Sequence, residues 1–347
     1  MISPSELALA FRSAAGAPQL AFDRYATGFD EWAIAARSKL IELLGMGKTT
    51  TPVVEPLRST IEDDVHITAL RMTVDASLDL PAYLLHPAGQ RPSSDVVLAL
   101  HGHGEVDTSL RVDGVNEDYH HGFAYCLAQA GHTVLLPELH GFGALFDLAA
   151  HTGRPGLSYW RWGQPMAYTL QTDAFIHGRT LMGDTVEDLL RWETWLHGMD
   201  SDVSIDVVGI SWGGDLACTY PVFSSRVRSI FASGTLGSFE SVFADGGNAP
   251  AHCIPGVLQW LDRADIAGLN APTPIAVHYG ALDTPSPDNR SAAYNGSVPN
   301  SIARLREIYA AKGAVDDVHL LVSESLHHEL DVPAILSWLD TLARRPS

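Results

Sequence analysis

The sequence predicts an α/β protein with a mostly parallel, twisted sheet flanked by helices. Two features carry this prediction. From residue 96 onward, short apolar runs of the kind that fill strands buried on both faces alternate with helical stretches. One of these runs leads through a glycine-rich turn into a helix, as strand–turn–helix units do. The apolar runs cover residues 96–100, 133–136, 205–210, 229–232, 275–279 and 318–322, and the helical stretches include 123–130, 185–196 and 301–311.

The composition is that of an ordinary globular protein. Of 347 residues, 46% are hydrophobic and 18% are charged, which excludes a disordered or fibrous chain. The formal charge of −19 argues against nucleic acid and anionic membranes as partners, because a phosphate partner needs a basic face. No apolar run approaches the roughly 20 residues of a membrane span. We therefore expect a small-molecule partner.

The cysteines and the first residues predict a cytoplasmic protein. Cys126, Cys218 and Cys253 are widely spaced and odd in number, and they form no CxxC motif. This pattern favours reduced thiols over a disulfide framework. The opening residues, MISPSE, lack the basic region that begins a signal peptide.

Residues 1–60 are predicted to form a helical arm. Residues 3–6 read SPSE, a capping box with proline at the first helical position. A longer helix is expected over residues 30–44, ended by Gly45. Residues 48–59 contain two prolines and are interpreted as a linker. The apolar stripe of the longer helix would pack either on the chain's own core or on a second subunit. A homo-oligomer is therefore one of the two alternatives.

Residues 61–347 are predicted to form one catalytic domain. Residues 65–74 and 78–85 would open it as an antiparallel pair of strands. An insertion at about residues 143–175 is too long for an ordinary connection and is rich in aromatic residues, glycine and proline. It is interpreted as a lid over a pocket, the alternative being a hydrophobic plug. The candidate substrate-binding residues in it are Tyr159, Trp160 and Trp162.

Ser211 is the candidate nucleophile. It stands in the sequence GISWG at residues 209–213, directly after a predicted buried strand and before a predicted helix over residues 214–220. This is the context of a nucleophile elbow, in which the serine occupies a strained turn between strand and helix. The two glycines leave room for the close backbone approach of that turn. The helix N-terminus would face the developing oxyanion.

The candidate acid and base follow later strands. A serine hydroxyl needs a base, and the base needs an orienting acid; after such an elbow they follow in the order acid, then histidine. Asp283 comes just past the strand predicted at 275–279 and is favoured over Asp288. The last strand is followed by two histidines. His328 is favoured as the base, and His327 is the alternative.

The candidate oxyanion hole joins two segments. The sequence HGHG at residues 101–104 follows the first buried parallel strand, a usual source of one oxyanion-binding N–H, and the residue after the nucleophile supplies the other. We expect the backbone N–H groups of His103 and Trp212 to bind the oxyanion. The HxH spacing of His101 and His103 also suggests a metal, but no recognisable ligand spacing follows, so no metal is predicted.

Further motifs accompany HGHG at 101–104 and the Ser211 elbow: KLIELLG at 39–45, LPAYLLHP at 80–87, PELHGFG at 137–143, LMGDTVED at 181–188, CIPG at 253–256 and DIAGLNAP at 265–272. Taken together, these motifs resemble α/β-hydrolases of the acetyl xylan esterase and dienelactone-hydrolase-like branch. The resemblance implies the α/β-hydrolase fold, an esterase with a Ser211–Asp283–His328 triad, and no cofactor. His328 precedes a glutamate, as in the family, but Leu326-His327 replaces the usual small residue, which keeps His327 open.

The expected function is hydrolysis of carboxylic esters through an acyl-enzyme. The bulk of Trp212 beside the nucleophile favours short acyl groups such as acetyl, on a sugar or another small molecule. Cleavage of a lactone or of a carbon–carbon bond is the alternative, because the same triad performs these reactions. A catalytically inactive binding protein is the alternative of another class, and an intact triad order argues against it.

Overall fold

The computed structural model describes Ala10 and residues 16–25, 28–75, 78–103, 119–141, 160–161, 164–244, 250–284 and 293–344. The strands are β1 (Val53–Glu62), β2 (Val65–Asp75), β3 (Leu78–Pro87), β4 (Asp95–Leu100), β5 (Thr133–Pro137), β6 (Trp160–Arg161), β7 (Gln164–Pro165), β8 (Ser204–Ile210), β9 (Val227–Ser233), β10 (Ile275–Gly280) and β11 (Val318–Ser323). The helices are α1 (Phe29–Leu44), α2 (Phe123–Gln129), α3 (Met166–Ile176), α4 (Leu181–Met199), α5 (Trp212–Thr219), α6 (Phe239–Ala244), α7 (Arg263–Gly268), α8 (Ala293–Ala310) and α9 (Val332–Ala343).

Nine strands form one mixed sheet in the order β1-β2-β3-β5-β4-β8-β9-β10-β11. The pairs β1–β2, β2–β3 and β3–β5 are antiparallel, and the pairs from β5 through β11 are parallel. The six apolar runs are the six parallel strands, so the predicted α/β class is confirmed. The antiparallel pair predicted before them is confirmed as β2 and β3.

The central strands are buried on both faces. In β4, Val96, Leu98 and Leu100 point into one apolar cluster, whereas Val97 and Ala99 point into the other. This alternation follows from the two-residue period of a strand. Helices cover both clusters, as the continuous apolar runs predicted. Among the helices of the described residues, none combines the length and the apolar character that crossing a membrane requires.

The interpretation of residues 48–59 as a linker is wrong. Residues 53–62 form β1, which pairs antiparallel with β2. Pro56 is tolerated because β1 is an edge strand and its register shifts between Pro56 and Arg58, which spares the sheet an interior proline. The boundary drawn at residue 60 therefore falls inside a strand of the main sheet.

The predicted helix over residues 30–44 is α1. Trp32, Leu40 and Leu44 are fully buried in the larger apolar cluster. Gly45 ends the helix in the left-handed region at φ 68°. The apolar stripe thus packs on the chain's own core. The capping box predicted at residues 3–6 lies outside the described residues.

Buried His278 in β10 predicts acid sensitivity of the fold. Its Nδ1 lies 2.8 Å from Ser233 Oγ, and its Nε2 lies 3.0 Å from Ser323 Oγ. Burial lowers the pKa of His278 from 6.5 to about 4, against the opposing charge of Asp331. As pH falls through this interval, the unfolded chain binds the proton and the folded chain does not, so stability is lost.

We expect this histidine to cost the wild type about 2 kcal/mol of unfolding free energy between pH 7.5 and 5. Urea unfolding of wild type and His278→Gln at both pH values measures the effect. The variant should lose about that much less on acidification than the wild type, whatever its own stability at pH 7.5. An equal loss in both proteins would contradict the prediction.

Candidate active site

Ser211 occupies a strained turn between β8 and α5. Its backbone has φ 57° and ψ −115°, a conformation that costs energy in any residue with a side chain. The turn is held by the Ser211 N–H, which donates to the Ser233 carbonyl at 2.9 Å, and by the Asp215 N–H, which donates to the Ser211 carbonyl at 3.0 Å. The geometry is that of the predicted elbow.

Both flanking glycines are required by close backbone contacts. A Cβ on Gly209 would overlap the backbone of Gly213, and a Cβ on Gly213 would overlap the carbonyls of Leu100 and His101. The second contact also places the start of α5 directly against the end of β4. As a result, the elbow and the loop after β4 lie side by side.

His328 and Asp283 form a hydrogen-bonded pair. The His328 Nδ1 lies 2.9 Å from Asp283 Oδ2, and Asp283 is only 2% exposed. Asp283 follows β10 and His328 follows β11, which are neighbours in the parallel part of the sheet. The carboxyl ends of parallel strands meet at one edge of a sheet, so this pair shares an edge with Ser211.

Residues 233 and 234 connect the pair to the elbow. The Ser233 carbonyl accepts the Ser211 N–H, and Gly234, the next residue, lies against the His328 ring. A Cβ on Gly234 would lie 2.6 Å from His328 Cε1. Gly234 has φ 57°, so it is needed both for its conformation and for the space it leaves to the imidazole.

His327 has a different environment. It is exposed, and its Nδ1 lies 3.1 Å from the carbonyl of Leu282, not from a carboxylate. Asp288, the alternative acid, lies outside the described residues. Of the two histidines, the one that contacts the Asp283 carboxylate is therefore His328.

Two histidines shape the loop after β4. His101 accepts the Leu139 N–H at Nε2 (3.1 Å), which leaves its Nδ1 to donate to the Gly102 carbonyl at 2.8 Å. The Gly102 N–H donates to His120 Nε2 at 2.8 Å. These contacts give His101 a structural role in place of the one the HxH spacing suggested. In the described part of the chain, no group of three His, Cys, Asp or Glu residues could hold a metal ion.

A second His–Asp pair, absent from the sequence predictions, lies beside the elbow. His252 Nδ1 lies 2.5 Å from Asp215 Oδ2, and Arg263 Nη1 donates to Asp215 Oδ1 at 2.9 Å. Asp215 stands one helical turn after Ser211, which is the one local signal that could have drawn attention to it. His252 and Arg263 carry no recognisable spacing.

The side chains of the two predicted oxyanion-hole residues meet this second pair. The ring of His103 stacks on His252, and Trp212 is fully buried with its ring edge-on to His252. Burial, together with the nearby imidazoles of His252 and His328, lowers the pKa of His103 to about 3. The His103 side chain is therefore neutral at pH 7.

Two of the three predicted substrate-binding residues are not among the described residues. Tyr159 and Trp162 lie outside the described residues. The backbone of Trp160 belongs to β6, where it pairs with Pro165 of β7. The lid over residues 143–175 stays a prediction.

A serine elbow after a central parallel strand, with an acid and a histidine after two later strands, is the arrangement of the α/β-hydrolase fold. The chain has this fold. No protein-family profile and no curated protein matches it. Solved structures do match over nearly the whole chain, and the three described next have 12–17% sequence identity.

Three of these structures illustrate the match. A protein of Bacteroides fragilis described as a candidate acetyl xylan esterase has 15% identity and a TM-score of 0.75, over 99% of this chain and 95% of that one. A glucuronoyl esterase from Solibacter usitatus has 12% identity and a TM-score of 0.60, over 94% and 95%. Acetyl xylan esterase 1 from a Thermoanaerobacterium species has 17% identity and a TM-score of 0.54, over 91% and 93%. The likeness is one of fold.

Proposed function

We propose that the chain is a serine hydrolase that cleaves carboxylic esters through an acyl-enzyme. The single observation that carries this proposal is the placement of Ser211 in a strained elbow on the same sheet edge as the His328–Asp283 pair. The esterase descriptions of the similar structures support it. Ser211 is the nucleophile, His328 is the general base, and Asp283 orients the imidazole.

The reaction proceeds in two steps. In acylation, His328 takes the proton of Ser211 as the serine oxygen attacks the ester carbonyl, and the alcohol leaves with that proton. In deacylation, His328 takes a proton from water, which attacks the acyl-enzyme, and returns it to Ser211 as the acid is released. The backbone N–H groups of His103 and Trp212 hold the oxyanion in both steps.

The substrate we propose is a short-chain ester, such as an acetyl ester of a sugar or another small molecule. Its support from the chain is the bulk of Trp212, the residue next to Ser211, whose ring packs against the ring of His252; we propose that this bulk narrows the acyl site. The two acetyl xylan esterase descriptions point the same way.

A panel of p-nitrophenyl esters tests this proposal. We expect kcat/KM for the acetyl ester to exceed that for the octanoyl ester by at least about tenfold, because an acyl chain too long for its site holds the ester carbonyl away from Ser211. Lactones and β-diketones are assayed in the same panel. Labelling of Ser211 by a fluorophosphonate is measured in parallel. Equal rates on short and long chains would refute the short-acyl assignment. If the protein turned over lactones or diketones and no ester, that reaction would replace ester hydrolysis as the assigned activity.

A further inference from the structure

We propose that His252, held by Asp215 and Arg263, is a positioning residue that fixes the two halves of the oxyanion hole relative to each other. The inference rests on the proposed function, because it assigns the oxyanion to the backbone N–H groups of His103 and Trp212. His252 itself touches no reacting atom in this scheme.

His252 contacts both halves. Its ring is stacked on the ring of His103, with centroids 5.3 Å apart and planes 9° apart. It meets the Trp212 ring nearly at right angles, with centroids 4.9 Å apart. His103 belongs to the loop after β4, whereas Trp212 begins α5. A shift of the His252 ring would therefore change the spacing of two donors that come from different segments of the chain.

Asp215 anchors His252 to the elbow. Its carboxylate binds His252 Nδ1 at 2.5 Å and Arg263 Nη1 at 2.9 Å, and it also accepts the hydroxyl of Thr235. The same residue donates its backbone N–H to the Ser211 carbonyl. His252 is thus fixed to the segment that carries the nucleophile, although it lies about 40 residues further along the chain.

The protonation states of Asp215 and His252 favour the hydrogen bond between them. Burial acts to raise the pKa of Asp215, but Arg263 and the hydrogen bonds from His252 and Thr235 outweigh it, so the pKa is lowered and the carboxylate is ionised. Burial lowers the pKa of His252 despite the Asp215 charge, so the ring is neutral with its proton on Nδ1. A neutral His252 also adds no positive charge beside His328, which becomes positive during catalysis.

This role predicts a specific kinetic signature. Oxyanion-hole donors act on charge that develops only in the transition state. Misplacing them lowers kcat and leaves KM nearly unchanged, whereas loss of a substrate contact raises KM. A residue that only stabilises the fold lowers the amount of active protein and leaves kcat per active site unchanged.

The test compares His252→Ala, which removes the ring, with His252→Phe, which keeps a ring but cannot bind Asp215. Active sites are counted with a fluorophosphonate that labels Ser211, and p-nitrophenyl acetate is the substrate. We expect kcat per labelled site to fall about 100-fold in the alanine variant and about tenfold in the phenylalanine variant, with KM within about twofold. Affinity for a trifluoromethyl ketone, which forms a tetrahedral adduct, should fall by similar factors.

His132→Phe is the matched control, because His132 is a partly buried histidine just before β5, at the opposite edge of the sheet. It should retain the wild-type kcat and KM. The proposal is overturned if kcat per labelled site is unchanged in the His252 variants, or if KM rises while kcat holds. If His252→Ala does not fold, His252→Phe decides by the same criteria. A wild type that hydrolyses no ester and leaves Ser211 unlabelled would overturn the proposed function, and this inference with it.

Discussion

Replacing Ser211 by alanine is expected to lower ester hydrolysis by about 10⁴-fold or more while leaving the fold intact. The physical reason is that alanine lacks the hydroxyl group with which Ser211 would form the acyl-enzyme. Alanine meets the same backbone strain at φ 57° as serine does, so the turn is not selectively penalised. The measurement is kcat/KM on p-nitrophenyl acetate, with circular dichroism and thermal unfolding to verify the fold.

Ser229→Ala is the matched control for this experiment. Ser229 is fully buried, near the start of β9 and away from the catalytic edge, and it donates its hydroxyl to Asp206 at 2.6 Å. This variant should lose some stability, about 1.5–3 kcal/mol for a hydrogen bond to a charged group, and keep its kcat/KM. Turnover retained by Ser211→Ala would refute the assignment of the nucleophile.

Replacing His328 by glutamine is expected to lower kcat by about 10²- to 10⁴-fold, whereas His327→Gln should stay within a few-fold of wild type. The neighbouring histidines have the same chemistry and differ in surroundings. His328 binds the carboxylate of Asp283, which fixes its tautomer and stabilises its protonated form. His327 is exposed and faces a backbone carbonyl.

The two variants are matched in sequence position and in the atoms removed, so kcat on one ester compares the two environments directly. Labelling of Ser211 by a fluorophosphonate gives a second readout, since the base also activates the serine toward phosphorus. The labelling rate should fall in His328→Gln and persist in His327→Gln. The reverse order of effects would transfer the role of the base to His327.

The sequence was most informative where the chemistry depends on short segments. The parallel strands were predicted because burial on both faces demands continuous apolar runs. Such a run can be recognised from about six consecutive residues. The Ser211 elbow was predicted because its turn demands glycine at two nearby positions, and the overlaps at Gly209 and Gly213 give the reason. Asp283 and His328 were predicted because they follow strands that end at one edge of the sheet.

Edge strand β1 shows where local patterns mislead. Prolines at 52 and 56 indicated a linker, but an unpaired strand edge does not need the N–H that proline lacks. Only the position of the strand in the sheet makes Pro56 acceptable. The sequence shows the proline but does not show that its strand lies at the edge of the sheet.

By itself, the sequence determined the fold class, and it predicted the elbow at Ser211 and the acid and base that we propose follow it. These features are encoded by periodicity and by neighbours along the chain. Only the tertiary structure shows that Asp283 contacts His328 and that His327 faces a backbone carbonyl. It alone placed His252 and Arg263 on Asp215, because hydrogen bonds between residues some 40 positions apart leave no spacing to find. A buried charge needs partners, but which segments supply them is settled only when the chain packs.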